Sequence, residues 1–161
     1  MDFDERLEQA VARGQRVNAA KQEAAAERAL SAEEQKRLHS QFRLELSEYI
    51  EGVLQQLPRH LPGFRFESLM DASGWGAKLS RDDWNPKSTE TRSNLYSRLE
   101  VTVRPLGAYP VLEIAAKGTI RNKEAFQRQQ HQRLAQIDVA ALKQAIDNWV
   151  LEYAELYSAG G

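Results

Sequence analysis

The clearest pattern in the chain is a run of apolar residues that recur at steps of three and four between residues 38 and 57. Such spacing is typical of an amphipathic helix whose apolar face packs on a core. Upstream, Ser31 and Glu34 fit a capping box, and downstream Pro58 ends the helical pattern. The sequence therefore predicts a helix over 32–57, with this apolar face: Leu38, Phe42, Leu46, Tyr49, Ile50, Val53, Leu54 and Leu57.

Farther along the chain, the spacing of the apolar residues changes from the steps of three and four of a helix to every second residue, as in a strand. The segment LYSRLEVTVRP, residues 95–105, alternates apolar and polar positions, and VLEIAAKGTI, residues 111–120, does so again after a short turn that contains glycine. Two such runs predict a β-hairpin with one buried face and one polar, solvated face. The segment FRFESLM, residues 64–70, predicts a further strand.

Residues 122–137 admit two interpretations. Their composition favours a helix, with Phe126 and Leu134 on one face. The alternative is a hairpin turn at 122–123 followed by a polar edge strand over 125–134, which its own charges would protect from aggregation. We expect the helix.

The last element is a second amphipathic helix over 139–158, for which Asp138 fits the N-cap. Its apolar face consists of Leu142, Ala145, Ile146, Trp149, Tyr153, Leu156 and Tyr157. Together, these elements predict an α+β domain over 31–161. In it, an antiparallel meander of three or four strands packs against two amphipathic helices.

A helical extension is predicted over residues 1–30, because this segment is rich in Ala, Gln, Glu, Lys and Arg. Its larger apolar residues include Phe3, Leu7, Val11 and Val17, which lie near one helical face. The stripe is too thin to predict a coiled coil of several heptads. Two interpretations remain: a partly frayed, solvated helix, or a helix that docks on a partner or on a second copy of the chain.

The composition excludes some classes of protein and some kinds of site, but it does not identify a function. Lys and Arg total 22 against 23 Asp and Glu, so the chain lacks the charge excess of a strongly basic nucleic-acid or membrane-surface binder. It has no cysteine, which excludes disulfides and thiolate metal sites. The first residues lack the apolar core of a signal peptide, and we expect a cytoplasmic protein that does not bind membranes.

Residue patterns for catalysis are missing from the sequence. The three histidines are widely separated, and neither a zinc-protease motif nor a phosphate-binding glycine loop occurs. We therefore predict no catalytic residue, no metal and no cofactor, and we expect His39 to lie on the surface of its helix.

The segment 71–94 is polar and rich in turn-forming residues, yet it carries two of the three tryptophans. A long loop of this kind predicts either a plug for one end of the core or a recognition surface. In the second case, the aromatic anchors and their charged neighbours form a surface for a protein partner, consisting of Trp75, Lys78, Arg81 and Trp84.

The leading hypothesis is a non-enzymatic protein-interaction or adaptor module. The alternative is a single-stranded nucleic-acid-binding protein that uses the polar face of the hairpin over 95–121. Its aromatic and basic residues would be Tyr96, Arg98, Arg104, Lys117 and Arg121. A third possibility is a small-ligand binder or an enzyme with carboxylates near the segment 71–94.

Overall fold

The computed structural model describes residues 2–30, 32–84 and 94–160, and of residues 26–30 the backbone alone. These residues form two compact units, 1–37 and 38–161, each of which is described by itself below. In chain order the elements are α1 (Phe3–Leu30), α2 (Ala32–His60), β1 (Arg65–Asp71), β2 (Gly74–Trp84), β3 (Asn94–Val103), β4 (Val111–Ile120), β5 (Lys123–Arg133), a short 3-10 turn (Leu134–Gln136) and α3 (Val139–Ser158).

The N-terminal unit consists of α1 and the first turns of α2. Asp2 caps α1, because its side-chain Oδ1 accepts a hydrogen bond from the backbone N–H of Glu5 at 2.8 Å. Asp4 and Glu5 add negative charge to the first turn, which the helix dipole favours. The predicted capping box at Ser31 lies outside the residues that the structure describes.

The second unit is an α+β domain built on an antiparallel meander in the order β1-β2-β3-β4-β5. The prediction of three or four strands was therefore too low. Strand β2 occupies part of the segment 71–94, which we expected to be a loop, and it pairs with β3 from Trp75 opposite Val103 to Trp84 opposite Asn94. Residues 85–93 of that segment lie outside the described part of the chain.

The helix predicted over 122–137 is wrong, because this segment forms strand β5 and pairs with β4. The cause is a two-residue turn: Arg121 and Asn122 have φ angles of 46° and 69°, as type I′ hairpin turns require. The Asn122 side chain then accepts a hydrogen bond from the Tyr96 N–H at 2.8 Å and donates one to the Asn94 carbonyl at 2.9 Å. These tertiary bonds override a local preference for helix.

One face of the sheet packs against α2 and α3 to form a single apolar core. The alternation predicted for β3 and β4 is confirmed, and the sheet supplies these buried side chains: Ala77, Leu79, Leu99, Val101, Val103, Leu112, Ile114, Ala116, Ile120 and Phe126. Helix α2 continues through Pro58 to His60, beyond the predicted end. The N-cap of α3 is confirmed, since Asp138 accepts a hydrogen bond from the Ala141 N–H at 3.2 Å.

The opposite face of the sheet carries the polar residues of the alternation, and we call it the polar face. Its central strand, β3, presents Tyr96, Arg98, Glu100 and Thr102 there. Within residues 2–30, 32–84 and 94–160, no helix combines the length and the apolar character needed to cross a membrane.

Candidate interaction sites

The four residues of the predicted tryptophan surface lie on two faces of β2. Trp75 and Arg81 point to the helix side of the sheet, whereas Lys78 and Trp84 lie on the polar face. The structure therefore does not bring the four together. Of this predicted surface, Lys78 and Trp84 therefore remain on the polar face, where the Trp84 side chain is 72% exposed.

Trp75 closes one end of the core. Its ring packs edge-on against His39 with 6.5 Å between centroids, and the Arg43 guanidinium carbon lies 4.4 Å from its ring centroid. His39 Nε2–H donates a hydrogen bond to the backbone carbonyl of Arg104 at 3.0 Å. The expectation that His39 lies on the surface was wrong, because this packing leaves the residue 5% exposed.

The same packing makes His39 sensitive to acid. Burial lowers the pKa of the His39 imidazole below its ordinary value of 6.5, the hydrogen bond to Arg104 partly opposes this, and the charge of Arg43 lowers the pKa further. The stabilising contribution of neutral His39 is therefore fully present above pH 6.5, and it is lost as the pH falls through the lower pKa of the folded state.

We expect the melting temperature to fall less steeply between about pH 7 and pH 5 in His39→Gln than in the wild type. Glutamine keeps a hydrogen-bond donor for the Arg104 carbonyl but does not titrate. His60→Gln, at an exposed position, serves as the control and should retain the wild-type slope. Equal slopes in all three proteins, measured by differential scanning calorimetry, would contradict the role of His39.

A polar cluster lies on the helix side of the sheet, where β2 meets the end of α3. Arg81 Nε contacts Asp83 Oδ1 at 2.7 Å, and Arg81 also donates a hydrogen bond to the carbonyl of Pro62. The Arg121 guanidinium carbon lies 4.5 Å from the centroid of the Tyr157 ring. These contacts hold the side chains of Arg81 and Arg121 on the helix side of the sheet, so Arg121 does not lie on the polar face.

Four of the five residues predicted for nucleic-acid binding border connected parts of the polar face. Tyr96, Arg98 and Lys117 line a shallow groove of about 200 Å³, and Arg104 and Lys117 line a second groove of about 320 Å³. However, Arg98 Nη2 lies 2.6 Å from Glu100 Oε2, so this arginine is already paired with a carboxylate. The face thus carries charges of both signs and has little excess of positive charge for a phosphate backbone.

A third groove, of about 470 Å³, lies between α2 and α3 on the outside of the helix layer. Tyr49 Oη donates a hydrogen bond of 2.6 Å to Asp147 Oδ1 across it. This bond raises the pKa of Tyr49 to about 12, with smaller contributions from burial and from the negative charge of Asp147. The tyrosine is therefore a protonated structural link between the two helices at neutral pH.

The large apolar side chains of the α1 stripe are exposed, and they lie along one face of the helix. The four large members of the stripe have the following exposed fractions: Phe3 72%, Leu7 49%, Val11 52% and Val17 56%. Ala10 and Gly14 lie between them on the same face. The sequence predicted this stripe, and the structure adds that the side chains are exposed.

Within the part of the chain that the structure describes, no group of three or more His, Asp or Glu residues could hold a metal ion.

Comparisons with protein-family models, with curated proteins and with solved structures found no match to this chain.

Proposed function

We propose that this protein is a non-enzymatic protein-interaction module whose binding element is the apolar stripe of α1. The observation that carries the proposal is the exposure of the large apolar side chains Phe3, Leu7, Val11 and Val17 along one face of a 28-residue helix. A helix with an apolar stripe is suited to dock on a groove or on another helix, because burial of the stripe releases water from apolar surface.

The character of the rest of α1 supports this role. Its composition of Ala, Gln, Glu, Lys and Arg favours the helix even without tertiary packing. The ordering cost of binding is then lower, since the helix does not have to fold from a disordered segment at that moment.

The proposal predicts that the double substitution Leu7→Ala/Val11→Ala weakens partner binding at least about tenfold, because two buried aliphatic side chains together supply more than about 1.4 kcal/mol. Alanine is the best helix former, so the helix itself is preserved. The tagged full chain is used to capture partners from the lysate of its source at low and high salt. Each captured protein is identified, purified and titrated against the wild type and the variant.

The matched control is Leu44→Ala/Leu151→Ala, which removes two leucines of α2 and α3 that are 56% and 65% exposed. Binding should survive high salt and this control, and it should be lost in Leu7→Ala/Val11→Ala. Binding that is unchanged by Leu7→Ala/Val11→Ala would contradict the proposal. Nucleic acid recovered only at low salt, and equally by both variants, would instead favour the polar face as the binding site.

A further inference from the structure

We propose that the partner of the α1 stripe is a second copy of this chain, bound through a parallel pair of α1 helices. This inference rests on the proposed function, because it names the partner for the same surface. Three features of α1 carry it: the charges that flank the stripe, the small residues along its middle, and the lysine that follows it.

The two sides of the stripe carry opposite charges. At 3.6 residues per turn, Asp4 and Glu8 lie along one side, whereas Arg6 and Arg13 lie along the other. In a parallel two-fold pair, the acidic side of each helix faces the basic side of its partner. Arg6 and Glu8 are then offset along the axis by two residues, or about 3 Å, and their long side chains can span this offset.

The antiparallel arrangement lacks this complementarity. When two antiparallel helices pair with their stripes centred on each other, each side meets the same side of the partner. Arg6 then lies opposite Arg13 of the other copy, and the two acidic sides also meet. Like charges at such positions destabilise a helix pair, so the parallel arrangement is favoured. A two-fold interface that is complementary to itself is the commonest kind in homo-oligomers.

The middle of the stripe allows two helices to approach closely. Ala10 and Gly14 lie between the larger apolar residues, and a Cβ atom added at Gly14 would have no neighbour within 4 Å. Lys21 continues the same line beyond Val17. A single lysine at such a core position reduces stability but specifies the register and the number of helices in a coiled coil.

The first test is the mass of the full chain by sedimentation equilibrium over a concentration series. We expect the wild type to approach twice the mass of one chain and Leu7→Ala/Val11→Ala to remain a monomer. A wild type that stays monomeric throughout would overturn the inference, as would a dimer that is unaffected by this variant. If the wild type is monomeric but the stripe still binds another purified protein, the proposed function stands and only the second copy is excluded.

The second test exchanges the flanking charges. Arg6→Glu should raise the dimer dissociation constant about tenfold, because it replaces two symmetric attractions with repulsions. Adding Glu8→Arg to it should restore affinity to within about threefold. Arg16→Glu makes the same change on the far side of α1 and should have no comparable effect. Equal losses from Arg6→Glu and Arg16→Glu would overturn the proposed pairing.

The third test measures orientation and uses the absence of cysteine from the chain. In a parallel pair, Val17→Cys places two thiols at the same height, where they can form a disulfide. In an antiparallel pair centred on the stripe they would lie about 20 Å apart along the axis, well beyond the roughly 4–7 Å between Cα atoms that a disulfide spans. Cross-linking of Val17→Cys, but not of Arg16→Cys, is expected; no cross-link in the Val17→Cys dimer would exclude the parallel arrangement.

Discussion

Gly76→Ala should destabilise the protein by about 3 kcal/mol, since no side chain fits at this position without movement of the backbone. Gly76 lies in β2 opposite Thr102 of β3. A Cβ atom there would meet the carbonyl oxygen of Val101 and would lie 2.9 Å from the Cα of Thr102. Both atoms belong to the backbone of a central strand, so the steric clash can be removed only if β2 moves away from β3.

Gly52→Ala is the matched control, because Gly52 lies in α2 and an added Cβ has no neighbour within 4 Å. There the substitution should stabilise the protein by about 0.5–1 kcal/mol, through the helix preference of alanine. Urea unfolding of the two variants and the wild type measures both effects. If Gly76→Ala were as stable as the wild type, the close pairing of β2 with β3 would be wrong.

Tyr153→Ala should cost about 3–5 kcal/mol, as expected for the removal of a fully buried aromatic side chain. The residue is 0% exposed, and its ring lies 6.2 Å from Phe64 and 6.3 Å from Phe126 between centroids. Its Oη donates a hydrogen bond of 2.8 Å to the Thr119 carbonyl. Because typical domains are stable by roughly 5–15 kcal/mol, we expect this variant to be marginally folded.

Tyr153→Phe separates the ring from the hydroxyl group. It keeps the aromatic contacts but leaves the Thr119 carbonyl without this donor, so the expected loss is about 1–2 kcal/mol. Guanidinium unfolding of the wild type and the two variants should rank them in the order wild type, Tyr153→Phe, Tyr153→Ala. Equal losses in the two variants would mean that the hydroxyl, not the ring, accounts for the stability.

The regular parts of the fold could be predicted from the sequence because local patterns and tertiary structure agree there. The apolar stripe of α2, the alternation in β3 and β4, and the N-cap at Asp138 each indicated the element that the structure contains. For strand β5 the sequence left a helix and an edge strand open, and we expected the helix although the structure contains the strand. Its composition favours a helix, and it is a strand because of the turn at Arg121 and Asn122 and the bonds of Asn122 to β3.

Strand β2 and the environment of His39 were also missed, and for a related reason. Residues 74–84 include two glycines and a series of charged residues, which resemble a loop when their pairing with β3 is unknown. The burial of His39 depends on Trp75 and Arg104, which are distant in the sequence. By contrast, the α1 stripe could be predicted because its residues lie within one helix.

Hydrogen–deuterium exchange of the full chain tests most directly whether α1 binds a second copy of the chain, because an undocked helix exchanges its amide hydrogens rapidly whereas a docked one is protected. Exchange over residues 3–21 would be compared at low and high protein concentration, in the wild type and in Leu7→Ala/Val11→Ala. If two copies pair through α1, protection should rise with concentration in the wild type alone. Exchange in α1 that is the same at both concentrations and in both proteins would exclude the pairing of two copies through α1.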